Sequence, residues 1–263
     1  PEEMEGVPHH MIGVADPAES WSVSRFTEAA DRCVQDILSR GKLPVLVGGT
    51  GLYLDALVRG NTFAAGQQGG AVRQELQERL AQEGAAALLA ELAAVDPETA
   101  ARLHLRDEKR ILRALEVYRE TGETISEHDR KSRETPDRYD ALYIGLSFRD
   151  RQDLRDRIDR RVDAMVAQGL LDEVRRLLDS GLPRDATALQ AIGFNQFLAV
   201  ADGTATEAEA VEEVKLRSRQ YAKRQLTWLR RNPDIHWILW EKEPDFPWAL
   251  QNATDFLTAA GVC

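Results

Sequence analysis

Short, continuous apolar runs alternate with longer amphipathic stretches along this chain. Residues 43–47 (LPVLV), 141–148 (ALYIGLSF) and 235–239 (IHWIL) are typical of strands buried on both faces of a parallel sheet. A run at residues 7–14 (VPHHMIGV) also predicts a strand, because turn residues follow it directly. Strands that alternate with helices indicate an α/β core.

Helical spacing of apolar positions fills most of the remaining sequence. Ser20 or Ser22 can cap a first helix, which we expect to end at Gly41. A short helix is predicted over 52–58, directly after a glycine loop. Later helices are predicted near 150–179, 187–201 and 205–231, with another at the C-terminal end.

The stretch from Arg73 to about Lys131 predicts helix after helix without an intervening strand. Asp96-Pro97 supplies a cap followed by a first-turn proline, and Gly122 interrupts the pattern again. A glycine-rich linker, residues 62–70, precedes this stretch. We therefore predict two domains, an α/β core formed by residues 1–63 and 137–263 and a helical insertion formed by residues 64–136.

Composition limits the cellular setting more than it limits the function. The 263 residues are 43% hydrophobic, and no apolar run approaches the ~18 residues of a membrane span. Two cysteines without metal-ligand spacing predict a reducing, cytoplasmic environment. The net charge of −10 argues against a nucleic-acid partner, yet Lys215–Arg231 holds seven basic residues and no acidic one. That stretch is either a solvated helix face or a concentrated binding surface.

The glycine loop is the first candidate for chemistry. Gly48, Gly49 and Gly51 can let backbone N–H groups approach a phosphate, and Thr50 adds a hydroxyl. The loop is not a Walker A motif, because no Gly-Lys-Ser/Thr follows it. A tight turn without any ligand is the competing interpretation.

Basic residues at helical spacing form three further candidates. Arg157 and Arg161 share a helix face and can clamp a diphosphate, although nearby aspartates can instead neutralise them. Arg106, Arg110 and Arg113 fall on one face, with Lys109 beside them, and can follow a nucleic-acid backbone. The segment Lys223–Arg230 combines cations with Gln225 and Trp228, which can contact a base, although Trp228 can also be core. His9 and His10 would project oppositely from a strand, which predicts structural roles.

Six motifs, taken in order, resemble the bacterial tRNA dimethylallyltransferase family. They are PHHMIGVADP, LPVLVGGTGLY, KRILRALEVYRETG, RIDRRVDAM, LQAIGFNQ and YAKRQLTWLR, and together they extend over essentially the whole chain. The resemblance implies a P-loop-NTPase-like parallel sheet with a helical insertion. It also implies transfer of a dimethylallyl group from dimethylallyl diphosphate to N6 of the adenosine 3′ of the anticodon, with Mg²⁺ as cofactor and the anticodon stem-loop of tRNA as partner. A monomer without membrane contact is expected.

The resemblance also assigns roles to individual residues. Thr50 corresponds to the threonine that faces the reacting centre, and Arg161, assisted by Arg157, to the arginine that holds the diphosphate, with Gly48, Gly49 and Gly51 lining the same site. The residues that correspond to tRNA-contacting segments are Arg73, Lys109, Arg110, Arg113, Gln190, Ala191, Ile192, Gly193, Phe194, Asn195, Lys223, Arg224, Gln225, Thr227, Trp228 and Arg230. Phe194 and Asn195 depart from the tyrosine and basic residue that are commoner in the family.

Two family motifs have no counterpart in this sequence. The family begins with a GxxxxGK[ST] phosphate loop and a D-S-x-x-x-Y segment whose aspartate is the general base, a unit of roughly 40–50 residues. We therefore expect an N-terminal segment to be missing and the 263-residue chain alone to be inactive. The alternatives are an adenylate isopentenyltransferase, a non-catalytic tRNA-binding protein and a P-loop small-molecule kinase.

Overall fold

The computed structural model describes residues 4–61, 70–134 and 136–262, which divide into two compact units. One unit comprises Pro1–Leu54 and Asp140–Cys263, and the other comprises Asp55–Tyr139. In chain order the elements are α1 (Val23–Ser39), α2 (Gly51–Arg59), α3 (Ala71–Val95), α4 (Pro97–Arg102), α5 (Glu108–Thr121), α6 (Ile125–Glu134), β1 (Tyr143–Phe148), α7 (Arg151–Ala167), α8 (Leu170–Asp179), a 3₁₀ helix (Thr187–Gln190), α9 (Phe194–Ala201), α10 (Glu207–Leu229), β2 (Ile235–Trp240) and α11 (Phe246–Ala259). The predicted linker at 62–70 lies outside the described residues, apart from Gly70.

The sheet of the first unit is a parallel pair in which Tyr143 lies opposite Ile235 and Phe148 lies opposite Trp240. The rings of Phe148 and Trp240 are 5.7 Å apart and pack, together with Ile238, against α11. Both strands agree with the predicted runs at 141–148 and 235–239. The apolar runs form strands here because each supplies the other with backbone hydrogen-bond partners.

The strands predicted at 7–14 and 43–47 are not formed, so those predictions are wrong. Val45 is 75% exposed and Val47 is 92% exposed, whereas the sequence predicted burial on both faces. An extended segment needs a neighbouring strand for its N–H and C=O groups. Among the described residues, only β1 and β2 pair in a sheet, and neither of them pairs with 43–47.

Helix boundaries follow local signals closely in the first unit. Ser22 caps α1 through its side chain, and Gly41 follows the helix with a φ of +65°. The predicted single helix at 150–179 is divided into α7 and α8, because Gly169 has a φ of +96°. The predicted helix at 187–201 begins only at Phe194, after the 3₁₀ turn. A core that includes Val162, Val174, Phe197 and Val214 joins α7 to α10.

All the described elements of the second unit are helices. Leu76, Leu88, Leu92, Ile111 and Leu115 are almost fully buried where α3 packs on α5. Gly84 interrupts α3 with φ 81° and ψ 165°, a conformation nearly restricted to glycine. The resulting bend allows residues far apart on α3 to form ion pairs, such as Arg79 with Glu91 at 2.7 Å.

Candidate functional site

The glycine loop lies directly against α10. The Thr50 hydroxyl is 3.1 Å from the Tyr221 hydroxyl, within hydrogen-bond distance. A Cβ atom on Gly49 would overlap the side-chain amide of Gln225, and one on Gly51 would overlap the Trp228 indole. Glycine is therefore needed at 51 for close packing on the helix, and glycine at 49 leaves room for the Gln225 side chain; the tight-turn and phosphate interpretations of the sequence did not include this packing.

The loop leads directly into α2, which fixes the position of Thr50. The Thr50 carbonyl accepts hydrogen bonds from the N–H groups of Tyr53 and Leu54 in the first helical turn. The Tyr53 ring lies 4.8 Å from the Phe26 ring of α1. Gly48 and Thr50 are both exposed, so the outer side of the loop remains open to a ligand.

The basic stretch on α10 divides into two halves with different surroundings. In the N-terminal half, Arg219 binds both carboxylate oxygens of Asp159 at 2.6 and 2.7 Å, and Lys215 lies 2.7 Å from Asp163. The bond to Asp163 raises the pKa of Lys215 above its usual value, although partial burial opposes this shift. Arg217 pairs with Glu213 on α10 itself. These three cations are therefore engaged within the protein, mainly in joining α10 to α7.

The C-terminal half of the stretch carries cations without carboxylate partners. Lys223, Arg224, Arg230 and Arg231 are exposed, and none forms an ion pair with a described residue. Arg224 lies 5.7 Å from the Tyr221 ring, and Arg231 lies 5.2 Å from the Trp228 ring. Trp228 is half-buried, and the exposed Thr227 hydroxyl donates to the Lys223 carbonyl.

Arg157 and Arg161 are exposed on α7 and form no ion pair with a described residue. Three aspartates are near enough in sequence to neutralise them, namely Asp153, Asp156 and Asp159. Asp159 instead binds Arg219 of α10, and Asp156 accepts a hydrogen bond from Gln152, whereas Asp153 forms no ion pair with a described residue. Arg160, which lies between Arg157 and Arg161 in the sequence, is 3.4 Å from Glu243. The geometry therefore leaves the arginine pair available for an anionic ligand.

The segment Gln190–Asn195 contributes both core and surface residues. Ile192 and Phe194 pack against the core of the first unit, and Gly193 is buried at the start of α9 with a φ of +106°. Gln190, Ala191 and Asn195 are exposed, and they are the members of the segment that can reach a partner.

In the second unit, one buried carboxylate brings two predicted tRNA contacts together. Glu116 on α5 accepts a hydrogen bond from Arg113 at 2.9 Å and lies 3.7 Å from a guanidinium nitrogen of Arg73 on α3. Lys109 and Arg110 are exposed on the same helix. Arg106 lies in the turn before α5, so the prediction that it shares a helical face with Arg110 and Arg113 is wrong.

Tyr221 and Glu116 were not singled out from the sequence. Tyr221 lies in the basic stretch of α10, and Glu116 stands in a run of core residues. A buried acidic residue inside an apolar stretch is an unusual pattern, and this was the available signal for Glu116. The contact of Tyr221 joins residues 171 positions apart, so nothing local indicated it.

The sequence profile of the family described as IPP transferase matches residues 1–232. The chain belongs to the IPP transferase family.

Individual relatives agree with this membership. A tRNA dimethylallyltransferase of Geobacillus thermodenitrificans is 45% identical over 238 residues, which are 90% of this chain and 75% of the relative. The Bacillus subtilis tRNA dimethylallyltransferase is 43% identical over 237 residues, 90% of this chain and 74% of its own. Members of the IPP transferase family with these names thus extend beyond the segment shared with this chain.

Solved structures of the family confirm the predicted fold class. The full-length tRNA isopentenylpyrophosphate transferase of Bacillus halodurans has a TM-score of 0.69 at 38% identity, covering 98% of this chain and 80% of that one. A eukaryotic dimethylallyltransferase acting on tRNA has a TM-score of 0.77 at 28% identity, covering 98% of this chain and 67% of that one. The chain is α/β, with a small parallel sheet and many helices, and its structural neighbours have a P-loop-like fold.

His9 and His10 are exposed, and their segment forms no strand. Both line a groove of about 770 Å³ beside α1, so the prediction that they project to opposite sides is wrong. Among the described residues, no group of three or more His, Cys, Asp and Glu side chains could hold a metal ion. No described helix is both long and apolar enough to cross a membrane.

Proposed function

We propose that this chain acts in the transfer of a dimethylallyl group to N6 of the adenosine 3′ of the anticodon in tRNA, and that its 263 residues alone bind the RNA without catalysing the transfer. Its family membership and the names of its relatives establish the class, an enzyme that transfers a dimethylallyl group to tRNA. The target adenosine, the anticodon stem-loop and the residue roles are the finer part of the proposal. The observation that carries it is the packing of the glycine loop on α10, the helix on which Lys223 and Arg224 have no ion-pair partner among the described residues.

In this proposal the bond between C1 of the prenyl group and its diphosphate oxygen breaks, and a bond from C1 to N6 forms. Negative charge accumulates on the departing diphosphate, so fixed cations stabilise the transition state. Arg161 and Arg157 are assigned this role because they are exposed and form no ion pair with a described residue. Thr50 is assigned to the reacting centre, where the hydrogen bond to Tyr221 holds its hydroxyl. The N6 proton leaves to a base, and the family aspartate for that step has no counterpart in these 263 residues.

Transferases of this class generally use a divalent metal ion, and we propose Mg²⁺. The described residues include no group of three or more His, Cys, Asp and Glu side chains that could hold it. Mg²⁺ commonly binds through substrate phosphates with few protein ligands, and a diphosphate offers such oxygens. The monomeric state and the cytoplasmic location stay predictions.

Two surfaces are proposed for tRNA. In the first unit, Lys223, Arg224 and Arg230 supply phosphate contacts, with Gln225, Thr227 and Trp228 between them and Gln190, Ala191 and Asn195 as further exposed candidates. In the second unit, Arg73, Lys109, Arg110 and Arg113 supply phosphate contacts. The target base must leave its stack, which costs little in a single-stranded loop.

The deciding experiment compares the native gene product with the 263-residue chain. Each is incubated with dimethylallyl diphosphate, Mg²⁺ and an anticodon stem-loop, and mass spectrometry detects a prenylated adenosine. We expect transfer by the native protein and RNA binding without transfer by the 263-residue chain.

Each other outcome has a defined meaning. Transfer by the 263-residue chain would show that another residue replaces the missing aspartate. Binding without transfer by the native protein would identify a non-catalytic tRNA-binding protein. Prenylation of free adenylate in preference to the stem-loop would identify an adenylate isopentenyltransferase.

A further inference from the structure

Glu116 is a charged residue at a position where the surrounding pattern calls for an apolar side chain. Its side chain is 1% exposed, and its neighbours Leu112, Leu115 and Val117 on α5 are buried as well. Removing a carboxylate from water is unfavourable unless cations and hydrogen bonds compensate for it. The compensation at Glu116 comes from two arginines on two different helices.

Both arginines approach the same oxygen atom of Glu116. Arg113 donates a hydrogen bond to Oε2 at 2.9 Å, and a nitrogen of Arg73 lies 3.7 Å from that atom. The other oxygen, Oε1, is buried and receives no hydrogen bond from any described residue. The Arg73 and Arg113 side chains keep 20% and 30% of their surface exposed. A guanidinium has five N–H donors, which is more than a contact with one carboxylate oxygen uses.

We propose that Glu116 is a positioning residue that holds Arg73 and Arg113 side by side as a clamp for an RNA phosphate group. The inference rests on the proposed function, because it takes these two arginines as tRNA contacts. A guanidinium fixed in advance loses less conformational entropy when it binds a phosphate, and its planar fork binds two oxygens at once. A carboxylate that serves only to join α3 to α5 would not need partners that remain partly open to solvent.

The two roles predict opposite signs for one substitution. Glu116→Gln keeps the size of the side chain and removes one negative charge beside the RNA surface. If Glu116 only stabilised the helices, the folded variant would bind RNA equally well or more tightly, since electrostatic repulsion is reduced. If Glu116 positions the arginines, binding weakens although the surface has become more positive. We expect the dissociation constant for an anticodon stem-loop to rise about fivefold, as for the loss of part of a charge-assisted hydrogen bond.

Glu91 provides a matched control in the same unit. It also joins two arginines from two helices, Arg79 at 2.7 Å and Arg119 at 2.8 Å, and neither is a proposed RNA contact. We expect Glu91→Gln to lower stability in urea unfolding while leaving RNA affinity unchanged. A double-mutant cycle adds the second criterion, because Arg73→Ala should cost less affinity in the Glu116→Gln background than alone.

Arg73→Lys keeps the experiment decisive if Glu116→Gln fails to fold. This variant retains the positive charge but lacks the planar fork, so the clamp predicts weaker RNA binding at equal net charge. Normal binding by folded Glu116→Gln or by Arg73→Lys would overturn the positioning role and leave the proposed function intact. Failure of the unaltered chain to bind the stem-loop would overturn both.

Discussion

Gly48 and Gly51 are three positions apart in one loop but have very different neighbours. No described atom lies within 4 Å of where a Cβ on Gly48 would be, whereas a Cβ on Gly51 would overlap the Trp228 indole. Gln225, the neighbour of Gly49, can move aside because its amide is the end of a flexible side chain. The indole of Trp228 is rigid and has no comparable freedom. The packing of the loop on α10 therefore depends most on Gly51.

We predict that Gly51→Ala destabilises the protein by about 1–3 kcal/mol, the usual cost of overpacking. Gly48→Ala should have little effect, because its methyl group would extend into open space. Urea unfolding of both variants, followed by tryptophan fluorescence, tests the pair. Equal midpoints for the two variants would show that the loop does not lie against Trp228.

Among the elements, α4 and α6 depend on one shared carboxylate. Asp96 is 2% exposed, and its two oxygens accept hydrogen bonds from the N–H groups of Thr99 at 3.0 Å and Ser126 at 3.1 Å. Burial alone would raise the pKa of Asp96, but the hydrogen bonds from Thr99 and Ser126 outweigh it and hold the pKa below its usual value. The ionised form therefore stabilises the start of both helices.

Because the pKa of Asp96 is lower in the folded state, the unfolded chain binds a proton more readily. The contribution of ionised Asp96 to stability is complete above about pH 4, and it is lost as the pH falls further, through the pKa of Asp96 in the folded state. We predict that Asp96→Asn costs about 1–3 kcal/mol at neutral pH, because the amide has one oxygen for two buried N–H donors, and that the variant loses less stability in acid than the unaltered protein. Urea unfolding at neutral pH and near pH 3 measures both effects.

The acid profile of the unaltered protein, measured in the same buffers, is the reference for this prediction. If Asp96→Asn followed that profile, Asp96 would not be the group whose protonation lowers stability in acid.

Elements that depend on local signals could be predicted from the sequence, whereas those that depend on partners could not. Ser22 and Asp96-Pro97 mark the starts of helices, and Gly122 marks the end of one, each through its own backbone or side-chain chemistry. These boundaries lie where the sequence predicts them. The run at 43–47 has strand composition, but composition does not supply a pairing neighbour. The candidate site shows the same limit, because the contact of Thr50 with Tyr221 depends on tertiary packing.

At the scale of the whole molecule, the net charge is negative, but positive charge is concentrated in one stretch of the sequence. Outside Lys215–Arg231 the chain has 27 basic and 44 acidic residues, so the basic stretch is set in a strongly negative background. Only the part of the stretch from Lys223 onward keeps its charge unpaired among the described residues. A count of basic residues from sequence therefore overstates the number that can meet RNA.

We predict that Lys223→Ala and Arg217→Ala affect RNA binding differently, although both remove an exposed cation from α10. Lys223→Ala should reduce the slope of log affinity against log salt by about 0.7, the value for one phosphate contact of single-stranded RNA. Arg217→Ala should leave the slope unchanged, because Arg217 is already paired with Glu213. Titrations of an anticodon stem-loop at several salt concentrations give both slopes. Equal slopes would contradict the division of the helix into two halves.

The contact between the glycine loop and α10 also has a thermodynamic consequence. Gly49, Thr50 and Gly51 touch Gln225, Tyr221 and Trp228 on the helix that carries Lys223 and Arg224. If the loop holds a diphosphate and the helix holds RNA, a ligand that moves the loop also moves the helix, and a ligand that moves the helix also moves the loop. Linkage then requires bound diphosphate to change the affinity for RNA by the same factor as bound RNA changes the affinity for diphosphate. The order in which the two substrates arrive would affect the rate of assembly, but not the stability of the final complex.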